Sequence, residues 1–232
     1  MITQPLILSI ETATEICSVV LSRGNQILCQ KTSTETNSHS KLLTSFIEEV
    51  FTICGQDLRK ELNAVAVSKG PGSYTGLRIG VSSAKGLAYA LDIPLIAIDT
   101  LQILAFRAKE KYPDCLYLPM IDARRMEVYS AMYDENLNLV KDISADIIDK
   151  DLYENYHKDK KIVVVGNGAT KCKEVLNNEI YVYDNSIVLN AEYMTLLAQA
   201  KYNNGDFEDV AYFEPYYLKD FIAKKSVVKG LY

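Results

Sequence analysis

The chain has 232 residues, 48% hydrophobic and 24% charged, an ordinary globular composition long enough for one large or two small domains with a sizeable core. A formal net charge of −5 argues against a free-standing nucleic-acid binder, so any nucleic acid is expected to be met through a partner. Five scattered cysteines with no C-x-x-C pair exclude a disulfide scaffold and a zinc ribbon; with no long apolar run and Met1 leading almost directly into a strand, neither membrane span nor secretory leader is expected and the location is expected to be cytoplasmic.

Pro5 precedes an unbroken apolar strand, Leu6–Ile10, of the kind found at a sheet centre. The polar turn Glu11–Glu15 separates it from a second strand, Cys17–Ser22, and Arg23-Gly24-Asn25 makes a tight hairpin to a third, Gln26–Lys31. A helix is predicted from about Ser38 or Ser40 to Cys54, with Gly55 as its C-cap. Leu42, Leu43, Phe46, Ile47, Val50 and Phe51 form its apolar stripe, with Glu48 and Glu49 opposite. Ala64–Val67 is a buried strand. A glycine- and proline-rich loop, Gly70–Gly76, leads into a helix from Thr75 to Leu91, which Asp92 and Pro94 stop. Leu95–Ile98 is the next strand, completing a right-handed βαβ unit, and Leu101–Lys111 is an amphipathic helix closed by Pro113.

The second half repeats the order. Leu116–Ile121 is a strand, Ala123-Arg124-Arg125 a turn, Glu127–Tyr133 a strand, and Asn136-Leu137-Asn138 a turn into a third. A short helix over Asp149–Tyr156, a strand over Ile162–Val165, a helix from Gly166-Asn167-Gly168 through Leu176, a strand over Ile180–Tyr183 and a helix over Ala191–Asn203 follow. Both halves read β-β-β-α-β-α-β-α, so the expected fold class is α/β, a duplicated unit with two lobes and a cleft between them. The expected division is 1–104, 105–210 and a C-terminal segment 211–232. The aromatics of that segment (Tyr212, Phe213, Tyr216, Tyr217) should pack on one lobe, ahead of a lysine-rich tail (Lys219, Lys224, Lys225, Lys229).

Two features invite function. Gly76, Gly80, Ala84 and Ala88 recur every four residues, and helix glycine costs about 1 kcal/mol relative to alanine. That stripe packs either against the chain's own sheet alone or also against a partner helix; both stay open, because Leu77, Ile79, Val81, Leu87 and Leu91 make the helix apolar nearly all round. The loop is either a tight turn that needs glycine dihedrals, the leading alternative, or an anion site at a helix N-terminus. It is neither a Walker A loop nor G-x-G-x-x-G.

The chain resembles the TsaB (YeaZ) family along essentially its whole length. The likeness is carried by Ile7–Glu15, by Asn37-Ser38-His39-Ser40-Lys41-Leu42-Leu43, and above all by Gly70-Pro71-Gly72-Ser73-Tyr74-Thr75-Gly76-Leu77-Arg78-Ile79-Gly80. Ile121-Asp122-Ala123-Arg124 with Glu127-Val128-Tyr129 matches the start of the family's second lobe and Pro215-Tyr216-Tyr217-Leu218-Lys219 its usual ending, the likeness being looser after Tyr133. The resemblance implies the actin, hexokinase and Hsp70-like (RNase H-like) fold. It implies a non-catalytic, scaffolding subunit for synthesis of N6-threonylcarbamoyladenosine at position 37 of tRNA, working with the transferase TsaD and the ATPase TsaE. The chain would be a homodimer when alone and would touch tRNA only through the complex. It would hold no cofactor or metal itself, ATP and metal belonging to the partner subunits. The first two helices would form the contact, which tips the stripe toward a partner: Leu43, Phe46, Ile47, Val50, Gly76, Gly80, Ser83, Ala84, Leu87 and Ala88 are the candidate interface.

Enzymatic alternatives find only fragments. The catalytic paralogue holds metal through histidines at i and i+4 on the first helix, whereas here His39 has Leu43 at that spacing and the other histidine is the distant His157. A weak nucleotide-binding or ATP-hydrolysing enzyme is the alternative, with Glu11, Thr12, Gly70, Gly72 and Ser73 as candidate anion-binding residues and Asp122 with Arg124 as a second-lobe counterpart. A protease built from Ser38, His39 and Asp99 lacks an oxyanion hole and has adjacent side chains pointing apart.

Overall fold

The computed structural model describes residues 4–35, 39–55, 61–156 and 160–219. Among the described residues, ten strands form two mixed five-stranded sheets. The first is ordered β3-β2-β1-β4-β5, from β1 (Leu6–Glu11), β2 (Cys17–Arg23), β3 (Gln26–Ser33), β4 (Leu62–Gly70) and β5 (Leu95–Asp99). The second is ordered β10-β9-β6-β7-β8, from β6 (Leu116–Asp122), β7 (Glu127–Tyr133), β8 (Leu139–Ile147), β9 (Ile162–Val165) and β10 (Tyr181–Asp184). Each sheet has three antiparallel strands, then two added parallel beside the first of them. The duplication expected from the element order is therefore real at the level of topology.

The helices lying wholly within the described residues are α1 (His39–Cys54), α2 (Tyr74–Leu91), α3 (Thr100–Lys111), α4 (Ala169–Cys172) and α5 (Thr195–Asn204). Those of the second lobe are shorter than expected. The predicted helix over 149–156 is a turn ending in a 3-10 turn, Glu154–Tyr156. Its start is diverted when the Asp149 carboxylate accepts from the Asp151 N–H at 2.9 Å. Helix α4 is a single turn, opened at Gly168 without a side-chain cap. Ala191–Met194 is a 3-10 turn running into α5, opened by Asn190 accepting from the Glu192 N–H.

The layers are α1 and α2, the first sheet, α3 with α5, the second sheet, and α4. Leu6, Leu8, Ile10, Val19 and Leu21 face α1 and α2, while Ile7, Val20, Ala64 and Ala66 face the opposite way. That opposite face joins Leu101, Leu104, Ala108, Tyr117, Val163, Leu189 and Met194 in one core common to both lobes. Helix α3, leaving the first sheet, packs on β6; α5, from the second half, packs on β1 and β5. Position 104, where the lobes were expected to divide, lies inside α3.

The C-terminal segment returns to the first lobe. The Glu208 N–H donates to Leu95 O at 2.9 Å, and Val210 and Phe213 pack on the α1–α2 core. Lys85 Nζ donates to Ala211 O and Phe213 O at 3.2 and 2.7 Å. Phe213 thus packs as expected and Tyr217 lies against the Tyr74 ring while remaining exposed, whereas Tyr212 and Tyr216 are 84% and 40% exposed. Lys224, Lys225, Lys229 and His157 lie outside the described residues. Among those described, no helix is long and apolar enough to cross a membrane.

Candidate functional site: the first turn, the interlobe cleft and a two-helix face

The turn after β1 and the start of α2 are built against each other. Thr12 donates from Oγ1 to Gly76 O at 2.8 Å, and the Ser73 N–H donates to Ala13 O at 2.7 Å. A Cβ on Gly76 would lie 2.0 Å from Thr12 O, one on Gly80 2.2 Å from Thr12 Oγ1, and one on Gly72 2.4 Å from Ala13 O. The glycines are thus required by the chain's own turn. Ser73 caps α2, its Oγ accepting from the Gly76 N–H at 3.3 Å.

This geometry corrects part of the expected interface. Gly76, Gly80, Ala84 and Ala88 are all buried, on the face of α2 turned to the first sheet. Leu43 and Val50 are likewise buried beneath α1. Leu43 still borders the groove between α1 and α2, whereas the other five are turned to the chain's own packing; on α2, period-four small residues let the helix sit close on its own sheet. Phe46, Ile47, Ser83 and Leu87 are half-buried and border the outer surface.

That surface has its own relief. A groove of about 620 Å³ runs between α1 and α2, lined among others by Ser40, Thr44, Arg78, Ile79, Ser82 and Ser83. Farther along α2, a Cβ on Gly86 would meet nothing within 4 Å, and Tyr89 is 82% exposed. The sequence reading missed Ser82, Gly86 and Tyr89. Gly86 stands out of the 76-80-84-88 register, and that offset is the signal that marks the opposite face.

Between the lobes lies a second cleft of about 620 Å³, lined by Thr14, Glu15, Ser73, Arg124, Asn167 and Tyr217 among others. Asn167 bridges the lobes, donating from Nδ2 to Glu15 Oε2 at 2.8 Å. Of the candidate anion-binding residues only Gly72 and Ser73 reach this cleft. Glu11, Thr12 and Gly70 are buried, and none of the three lines it. Glu11 Oε1 accepts from the Ala13 N–H at 2.6 Å and from Ser68 Oγ at 2.9 Å. Burial pushes its carboxyl from 4.5 up to about 7, against those hydrogen bonds, which pull it down.

A magnesium–phosphate group does not fit between these loops. The carboxyl that would organise it is sealed beneath the turn, where burial disfavours its charged form, and the Ser73 N–H at the helix start is already spent on Ala13 O. In the second lobe Asp122 is paired with Lys171. The protease constellation does not form either. His39 is buried with Nε2–H donating to Ile16 O at 3.2 Å, and Asp99 pairs with Lys69 at 3.3 Å. Ser38 lies outside the described residues. Among them, no three His, Cys, Asp or Glu side chains gather as a metal site.

A family model described as TsaD, tRNA N6-adenosine threonylcarbamoyltransferase, matches residues 26–225. The tRNA threonylcarbamoyladenosine biosynthesis protein TsaB of Escherichia coli (strain K12) is 31% identical, covering 95% of this chain and 97% of that protein. Its namesake in Bacillus subtilis (strain 168) is also 31% identical, covering 74% and 75%. The solved structure of YeaZ from Pseudomonas aeruginosa superimposes with a TM-score of 0.82 at 26% identity, covering 92% of this chain and all of that one. With the two-lobed fold and the Gly70–Gly80 loop and helix seated on the first turn, these likenesses show that the chain belongs to the TsaB (YeaZ) family.

Proposed function

We propose that this chain serves tRNA threonylcarbamoyladenosine biosynthesis in the cytoplasm as a non-catalytic subunit that binds and activates a TsaD-like transferase. The observation that carries this reading is the outer face of α1 and α2. It presents an open groove, small side chains at Ser82 and Ser83, and at Gly86 a helix glycine that nothing in its own chain requires. An exposed helix glycine costs about 1 kcal/mol relative to alanine. Close approach of a partner helix offsets that cost by letting two backbones pack together. The sealed Glu11 favours a supporting role over a phosphate-handling one, so ATP and metal belong to the partner subunits, among them a TsaE-like ATPase. In the partner's absence a second copy of the chain takes the same face, and tRNA is met through the assembly.

The test is light scattering on the purified chain, alone and mixed with its TsaD paralogue. A homodimer that gives way to a one-to-one heterodimer is expected. Ser82 is exposed, so Ser82→Arg should leave the melting temperature within about 1 °C of wild type while abolishing both assemblies. A variant that assembles like the wild type would move the contact off this face.

A further inference from the structure

The turn joining β6 to β7 places two consecutive arginines in the left-handed region, Arg124 at φ 72° and Arg125 at φ 54°. Non-glycine residues adopt that region at a cost, and strain of this kind gathers where a side chain must be aimed. Here the turn is held from beneath. The Arg124 N–H donates to Asp122 Oδ1 at 2.7 Å, and the Glu127 N–H donates to Arg124 O at 3.3 Å. The ammonium of Lys171 donates to Arg125 O at 2.8 Å and to Glu127 O at 2.7 Å, and it pairs with Asp122. One lysine from α4 therefore fixes both ends of the turn and adds a positive charge beneath it.

The carboxylates nearby are already engaged. Asp122 is paired with Lys171, Glu127 with Lys219, and Glu15 accepts from Asn167. Among the described residues, no carboxylate lies within 4.0 Å of either guanidinium. Both arginines are exposed. Arg124 lines the interlobe cleft together with Tyr74, Tyr129 and Tyr217, and the rings of Tyr74 and Tyr217 lie 4.6 Å apart. Two uncompensated guanidiniums on a rigid turn beside aromatic rings, in a chain of net charge −5, are a local anion-binding feature. Guanidinium matches phosphate oxygens in a bidentate fork, and aromatic faces take unstacked bases.

We propose that the Arg124–Arg125 turn is a phosphate-binding site through which this chain touches the backbone of an RNA. The inference rests on the proposed function, because the net negative chain needs its paralogue's surface for the rest of the RNA footprint. It adds a direct contact by this subunit at the mouth of its own interlobe cleft.

The experiment titrates a fluorescein-labelled tRNA transcript with the full chain, alone and mixed with its paralogue, from 50 to 200 mM salt on the scale over which such charge pairs are screened. Arg124→Ala with Arg125→Ala should weaken binding about tenfold and make the log–log salt slope shallower by roughly 1.5, at about 0.7 to 0.9 for each phosphate no longer neutralised. Arg124→Lys with Arg125→Lys should keep most of the slope and lose part of the affinity. Melting temperature and assembly with the paralogue should not change. The proposal is overturned if neither form of the wild type binds the transcript, or if the alanine pair binds with unchanged affinity and slope. It is also overturned if the alanine pair loses the paralogue instead of the RNA, which would make the turn a protein contact. If the wild type fails to assemble, the proposed function falls by itself, and the titration of the chain alone still decides this inference.

Discussion

Glu11 is fully buried, with Oε1 engaged twice and Oε2 without a hydrogen-bond partner among the described residues. Its folded form holds a proton up to about pH 7, whereas the unfolded chain releases it near 4.5. The folded state therefore binds more protons between those values, and stability falls as pH rises through that window, levelling above it. At about 1.4 kcal/mol per unit, the whole span amounts to roughly 3 kcal/mol. Glu11→Gln is neutral at every pH and should flatten this dependence. Urea denaturation of both proteins from pH 4 to 8 measures it, and a wild-type–variant difference that stays constant across the range would falsify the assignment. Burial, with the neighbouring Glu11 carboxyl adding to it, raises the Cys17 thiol to about 11.

Helix α2 carries glycines on two opposite faces that do different work. Gly76 faces inward, where an added Cβ would meet the backbone carbonyl of Thr12, which cannot swing away. Gly86 faces outward into open space. Gly76→Ala should therefore destabilise the chain by about 1–3 kcal/mol, overpacking outweighing the gain in helix propensity. Gly86→Ala gains that propensity with no clash and should raise the melting temperature of the isolated chain by about 2–4 °C. Differential scanning calorimetry of the two variants decides the matter. Equal effects of the same sign would mean that the two faces are not distinguished in this way.

The molecule as a whole is tied together by its exchanged helices. Leu101, Leu104 and Ala108 of α3 are fully buried in the core that both sheets share, and Ser18 of β2 accepts from the Ala191 N–H of the second half at 3.0 Å. We propose that the two lobes fold as one cooperative unit and are not separable domains. A fragment of residues 1–104 ends inside α3 and lacks the α5 that covers β1 and β5, so it should stay unfolded by circular dichroism. In the full chain, Leu104→Ala should cost about 2–5 kcal/mol and lower a single transition, with probes in both lobes coinciding. Two separated transitions would return the lobes to independent status.

What the residues themselves determined was the order of elements. Leu6–Ile10 and Ala64–Val67 read as buried strands because they are nearly continuous apolar runs, and they form the centres of β1 and β4; Asp92 and Pro94 end α2 because proline cannot continue a helix. The family motif around Gly70–Gly80 was equally legible. Tertiary structure decided which way each face points. The stripe of Gly76, Gly80, Ala84 and Ala88 is periodic whether a sheet or a partner covers it, and only the seat of Thr12 against Gly76 and Gly80 shows that the chain's own turn does. Glu11 follows the same logic: a carboxylate in a polar turn looks solvent-facing until Ala13 and Ser68 close around it. The 3-10 turns at 154–156 and 191–194 were not legible because side-chain hydrogen bonds at Asp149 and Asn190 divert the backbone locally, an effect that apolar periodicity does not record. Periodicity states that a face is covered; the covering partner is a long-range contact, and only the folded chain supplies it.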